Sequence, residues 1–253
     1  MFPIFKSHYS IGKSILTLDT PSTDRSGGPD SVFDIVESLG DDKLVLVEDT
    51  FMGFLQGQKM CENLGLKFVF GLRIDIIDEN FDPEIKKIPK HKLVIFSKNS
   101  QGCKILFKIY TELKSSEHEA LTIKKIESLW SKDDLDMAVP FYDSFLFSNL
   151  FLFNSFVVDL SPFNPKFLSE NNGLPFDDIL NKSAAKYCDS NSLELVDCKS
   201  IYYKNRKDFD AYVTYKLICS RNSFASNKSS LEKPNFDHMG SREFCYESFL
   251  EQK

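Results

Sequence analysis

The sequence predicts an α/β fold built on a parallel sheet, and two observations carry the prediction. Strand-like apolar runs alternate with amphipathic helical stretches along the whole length. A chain of 253 residues with 42% hydrophobic content can also bury a sizeable core, as either a closed barrel or a doubly wound sheet. One domain over residues 1–253 is the expectation.

The elements follow in order. FKSHYSIGKSIL (5–16) leaves a short apolar strand start, placed near 4–7, and sets Ser7, His8, Tyr9 and Ser10 just beyond it. DKLVLVED (42–49) is an apolar run bounded by charge, as a strand buried on both faces reads. In FMGFLQGQKMCENLG, Met52, Leu55, Met60, Cys61 and Leu64 fall close to helical spacing, with Gly65 as the C-terminal stop. LKFVFGLRIDII (66–77) completes a strand, helix, strand unit whose natural outcome is a parallel pair.

KLVIFSK (92–98) reads as the next strand, and parallel strands are expected near 4–7, 43–48, 67–74 and 92–97. SQGCKILFKIYTELKSS (100–116) is a helix with Ile105, Leu106, Ile109 and Leu113 on one face. TIKKIESLWS (122–131) is a short helix and SLELVDCKSIYY (192–203) a late strand. KDFDAYVTYKLICSR (207–221) is amphipathic through Phe209, Tyr212, Val213, Leu217 and Ile218. The apolar run at 144–158 is broken by Ser148, Asn149, Asn154 and Ser155 and reads as a buried strand or helix. Ser- and Asn-rich stretches at 20–30 and 220–235 read as loops.

Composition narrows the function classes. The formal charge of −6 and pI near 5.3 disfavour extensive non-specific binding to nucleic acid, leaving only a local basic groove open. No 18-residue apolar stretch and no signal peptide is seen, so no membrane association and a cytoplasmic location are expected. The six cysteines contain no C-x-x-C pair and read as reduced, mostly buried thiols. The phosphate-loop, dinucleotide, hydrolase-elbow and zincin motifs are all missing from the sequence.

Four histidines offer ligands or core contacts. His8 is either a metal ligand or a turn or core residue, His91 borders a strand where it would cap, and His118 and His238 sit in polar loops as solvated groups. The acidic clusters VEDT (47–50), IDIIDEN (74–80) and SKDDLD (131–136) supply oxygen ligands of the kind hard cations take. Glu48 and Asp49 are best placed, at the end of a buried strand where α/β folds keep their sites. Their plainer role is to favour a helix N-terminus by negative charge.

The order of motifs resembles the PHP (polymerase and histidinol phosphatase) domain of the bacterial C-family DNA polymerase III alpha subunit. KSHYSIGKS (6–14) is similar to the family's opening H-x-H-S-H-Y-S-L-L-D-G. LVLVEDTFMGFLQGQKMCENLGLKFVFGLRIDI (44–76) resembles its second block, with Met52-Gly53, Lys59, Gly65, Lys67 and Gly71 in register. KLVIFSKNSQGCKILFKI (92–109) is similar to H-L-x-L-L-A-K-N-x-x-G-Y-x-N-L-x-K-L. LELVDCKSIYYKNRKDFDAYVTYKLI (193–218) resembles the late D-x-H block. The match runs from about residue 3 to 250 and implies a distorted (β/α)7 barrel.

The resemblance also implies where a trinuclear metal pocket would lie, and there the ligands are replaced. The H-x-H pair falls on Ile4 and Lys6, and the acidic residue of the following turn on Lys13. The second-block histidine falls near Glu48 or Asp49. The G-x-E glutamate becomes Arg73, the strand histidine becomes Lys92 with His91 beside it, and the late D-x-H falls on Ser200 and Tyr202. Lysine and arginine bring fixed positive charge and no lone pairs, so the expectation is a basic pocket without a cofactor. The chain then reads as a divergent, stand-alone, non-catalytic module of DNA replication, without palm, thumb or fingers. Its expected partners are replication proteins such as a polymerase or proofreading exonuclease. The alternatives are a Zn-, Mn- or Mg-dependent phosphoesterase using Glu48, Asp49, Asp75 and His91, and a pocket holding a phosphate or nucleic-acid end.

Overall fold

The computed structural model describes residues 1–20, 28–79, 88–219 and 240–253. The chain is mixed α/β, and among the described residues seven strands hydrogen-bond in sequence order as a closed barrel. They are β1 (Phe2–Phe5), β2 (Lys43–Glu48), β3 (Lys67–Ile76), β4 (His91–Ser97), β5 (Leu135–Val139), β6 (Lys166–Ser169) and β7 (Glu194–Ile201). The helices are α1 (Val32–Leu39), α2 (Phe54–Leu64), α3 (Ser100–Ser115), α4 (Ile123–Glu127), α5 (Phe145–Phe151), α6 (Asp177–Asn191), α7 (Phe209–Cys219) and α8 (Tyr246–Gln252). No described helix is long and apolar enough to cross a membrane. Four of the six cysteines, Cys61, Cys188, Cys198 and Cys245, are buried.

Two compact units share the chain. The first comprises Met1–Val69, Asn171–Asp177 and Cys198–Lys253. In it β1 pairs parallel with both β2 and β7. Every residue of β2 after Lys43 is buried, which explains its unbroken apolar run. Phe5, Leu16, Leu18, Phe33, Leu44, Leu46, Tyr203 and Phe249 are each fully or almost fully enclosed. Gly65 ends α2 in the left-handed conformation (φ 67°), as its position in the sequence predicts. Arg206 binds Glu243, Glu247 and Glu251, tying α8 to the segment after β7.

The second unit comprises Phe70–Glu170 and Asp178–Asp197. β5, β6 and β7 run parallel here, but β4 is antiparallel to both β3 and β5. The expected parallel strand at 92–97 is therefore corrected. β5 begins beside the end of β4, where the Lys98 N–H bonds the Asp134 carbonyl at 2.8 Å, so the chain between them, which carries α3 and α4, comes back to the end it left. A single crossover helix would instead carry the chain back for a parallel strand.

Two helix faces also differ from the sequence reading. In α2 the buried residues are Phe54, Gly57 and Cys61, whereas Met52, Leu55 and Leu64 are exposed, because Gly57 lets the Phe68 ring approach at a distance a Cβ would occupy. In α7, Tyr212, Val213 and Lys216 are buried while Ile218 is exposed. The apolar run at 144–158 resolves into α5 followed by a segment without regular secondary structure. The expected loops at 20–30 and 220–235 and His238 lie largely or wholly outside the described residues.

The K-N-x-x-G block has a local physical reason. The Asn99 side chain caps α3 by accepting the Gly102 N–H at 2.8 Å. A Cβ at Gly102 would meet the Asp134 carbonyl oxygen at 2.2 Å, so glycine is what lets α3 start against the strand that follows. Gly102→Ala is expected to destabilise the protein by about 2–3 kcal/mol through this backbone clash. Gly65→Ala, where nothing lies within 4 Å, is expected to cost only about 1 kcal/mol of left-handed strain. Urea denaturation of the two variants checks the order, and equal losses would show that the close approach at Gly102 does not limit stability.

Candidate functional site

In the first unit β7, β1 and β2 lie side by side, so Ile201, Phe5 and Glu48 end on a common edge. Sites of α/β folds occupy such C-terminal edges. Strand alternation places Ile4 and Lys6 on one face with Ser200 and Tyr202. Ile4 stands opposite Ser200 in register, and the Lys6 N–H extends the ladder to the Ile201 carbonyl. Thus the two x-separated pairs that the sequence singled out are cross-strand neighbours.

Glu48 is completely enclosed. One of its carboxylate oxygens accepts the Ser7 N–H at 2.8 Å, and the other accepts the Ser10 hydroxyl. Ser10 Oγ in turn accepts the Asp49 N–H at 3.1 Å. Beside this network the Lys6 ammonium, with its side chain 5% exposed, lies 3.2 Å from the Asp49 carboxylate. Burial pushes the Glu48 pKa up, and the Lys6 charge and the hydrogen bonds from Ser10 and Ser7 pull it back only in part. The arrangement fastens the Ser7–Ser10 turn to the end of β2. It is not the helix N-terminus expected for Glu48 and Asp49, since α2 begins only at Phe54.

The remaining positions of this unit are structural in their surroundings. Lys13 is exposed on the turn, so it does not join Lys6. With two carboxylates beside one ammonium, this edge is not the basic pocket expected from the substitutions. His8 is half-buried, its ring 4.3 Å from that of Tyr9; its backbone N–H bonds the Leu16 carbonyl at 2.8 Å, and its ring Nδ1 is buried with no hydrogen-bond partner among the described residues. Tyr202 stacks between Tyr212 and Phe244, while its carbonyl accepts the Ser14 hydroxyl at 2.9 Å.

In the second unit the charged candidates meet carboxylates. Lys92 lies directly across the β3–β4 pair from Asp75 and binds it at 2.6 Å. Arg73 pairs with Asp143, a residue that sequence reasoning does not single out and that is itself well exposed. The Arg73 side chain is mostly buried on β3. His91, expected as a cap, is instead a core residue at the start of β4, with its ring 4.2 Å from that of Phe156. Neither of its ring nitrogens has a hydrogen-bond partner among the described residues. Burial pushes its pKa down against the opposing charges of Asp75 and Asp78.

The other acidic clusters are absorbed similarly. Glu79 pairs with Lys124, Asp136 with Lys98 at 3.0 Å, and Asp134 accepts from Ser131 and Asn99. His118, expected to be solvated, is half-buried, and its carbonyl accepts from Lys90. No protein-family model and no curated protein matches the chain.

Lys6→Met is expected to destabilise the fold by about 3–5 kcal/mol, because it leaves buried carboxylate charge uncompensated. Lys6→Met/Asp49→Asn is expected to recover part of that loss in a double-mutant cycle, and strict additivity would disprove the coupling.

The two perturbed groups carry opposite signs of pH dependence. A raised carboxyl pKa gives stability that is complete below the ordinary value of 4.5 and is lost as pH rises through the folded value. Wild type is therefore expected to gain on Glu48→Gln as pH falls from 7 towards that value. A depressed imidazole pKa gives stability that is complete above 6.5 and falls as pH drops below it. His91→Leu is accordingly expected to gain on wild type below about pH 6.5. Chemical denaturation at a series of pH values reads both trends, and flat difference curves would refute the assignments.

Proposed function

We propose that the chain is a divergent PHP-like (β/α)7 barrel, related to the DNA polymerase III alpha subunit, that acts as a non-catalytic interaction module in DNA replication. The observation that carries this reading is the state of the β7–β1–β2 edge. A buried lysine stands where the resemblance would put a metal-binding histidine, and it is held by Asp49. The neighbouring Glu48 already has both oxygens engaged by Ser7 and Ser10. A metal centre that activates water needs several lone pairs turned toward one point. Here the ammonium offers none, and the carboxylates spend theirs on the chain itself.

The register of Ile4 against Ser200 supports the comparison, since it puts the first and last motif positions on adjacent strands. The closed seven-strand sheet is consistent with it too. On this reading the partners are replication proteins such as a polymerase or proofreading exonuclease, and the phosphoesterase and phosphate-binding alternatives lose their main supports. Asp75 is committed to Lys92, His91 to the core, and Lys13 to solvent.

The test is calorimetric titration of Mn²⁺ and Zn²⁺ into protein purified without chelator, with hydrolysis of bis-p-nitrophenyl phosphate followed in parallel. Neither saturable binding at the edge nor metal-dependent turnover is expected. Stoichiometric binding that disappears in Glu48→Gln, together with turnover, would overturn the proposal in favour of a reduced hydrolase site.

A further inference from the structure

We infer that a groove in the second unit binds a basic, amphipathic peptide segment of a partner protein. Its volume is about 300 Å³, the lower end of the range for ligand pockets, with room for one or two side chains but not for a large cofactor. The floor is apolar, with Ile77, Ile123 and Pro162 contributing. Among the described residues the lining also carries four carboxylates, Asp78, Glu79, Glu127 and Asp159, against one ammonium, that of Lys124.

Both parts of the lining are held in place. Glu79 accepts the Lys124 N–H at 3.0 Å and pairs with its ammonium, which keeps its pKa low. Asp159 accepts the Ser161 N–H at 2.9 Å and is likewise held ionised. On the apolar side, Asn149 clamps the Phe156 backbone through both its amide N–H and its carbonyl. The Phe156 ring is buried against His91 and Phe145. With Phe156 anchored, the next residue, Val157, is presented to solvent at 87% exposure, and Phe153 on the same segment stands 92% exposed.

Exposed apolar side chains beside a groove mark interaction surfaces. The occupant follows from charge complementarity. Phosphate-bearing ligands and acidic segments are repelled by a rim of net negative charge. A lysine or arginine can lay its methylene stem along the apolar floor and keep its cation among the carboxylates. An adjacent leucine or isoleucine of the same segment covers Val157. This surface gives the proposed interaction module a place to bind, but it rests on the groove alone and stands whether or not the barrel is PHP-like.

The experiment is fluorescence anisotropy of the full chain with a fluorescein-labelled peptide of alternating lysine and leucine. Peptides with glutamate or glutamine in place of lysine are the controls. The lysine peptide is expected to bind and the controls to bind at least about tenfold more weakly. Val157→Asp is expected to weaken the lysine peptide about tenfold without lowering the melting temperature, since that side chain is exposed. Lys124→Ala, which removes the only rim cation among the described residues, is expected to tighten binding roughly threefold.

Equal binding by wild type and Val157→Asp would place the peptide elsewhere and overturn the inference. So would displacement of the peptide by spermidine at constant ionic strength, which would make the groove a polyamine site. A dimer in light scattering that dissociates in Val157→Asp would also overturn it, by assigning the surface to a second copy of the chain. None of these outcomes bears on metal binding at the β7–β1–β2 edge.

Discussion

The fully enclosed carboxylate of Glu48 is the constraint around which the first unit is arranged. An isolated carboxylate removed from water carries a penalty of several kcal/mol, so its surroundings must supply donors and charge. The Ser7 N–H, the Ser10 hydroxyl and the Lys6 ammonium do so. The two donors and the charge all come from the segment that leaves β1, whereas Glu48 closes β2. The interaction therefore fixes the exit of one strand to the exit of its neighbour. Ser10 adds direction, because its hydroxyl donates to Glu48 while accepting from the Asp49 backbone.

That network explains why part of the site was legible in the sequence and part was not. SHYS announces a turn, and a carboxylate at the end of an apolar run announces a group near a strand edge. Their mutual engagement across 38 residues leaves no periodic signal. Likewise the substitutions at Lys6, Lys92 and Arg73 were visible as charges, but their partners were not. Asp143 follows no motif, and Asp75 pairs with Lys92 through the antiparallel register of β3 and β4, a register that the sequence argument had parallel. Reading each cation alone produced a basic pocket, while the folded chain neutralises Lys6, Lys92 and Arg73 nearby and leaves Lys13 in solvent.

The same distinction runs through the fold. β1, β2, β3, β4, β7, α2, α3, α4 and α7 were readable as elements from their apolar runs and apolar spacing, although the faces of α2 and α7 were not. β5 and β6 are five and four residues long, too short for alternation to rise above chance. α6 is a longer helix whose polar composition weakens its stripe. In α2 the readable stripe pointed the wrong way. Gly57, invisible to a hydrophobicity pattern, admits Phe68 and selects the face that packs.

His91 and Phe156 show how an interior contact determines what the surface displays. The imidazole is buried without a hydrogen-bond partner among the described residues, a state favoured only while it remains neutral. Its tilted ring contact with Phe156, together with the Asn149 clamp, anchors the segment that follows α5. The anchored Phe156 is followed by Val157, which stands 87% exposed. A chain whose strand-end carboxylates and cations are occupied with one another has little polar chemistry left at that edge. On the proposed reading, the groove beside Val157, apolar and lined by carboxylates among the described residues, is the surface left for a partner.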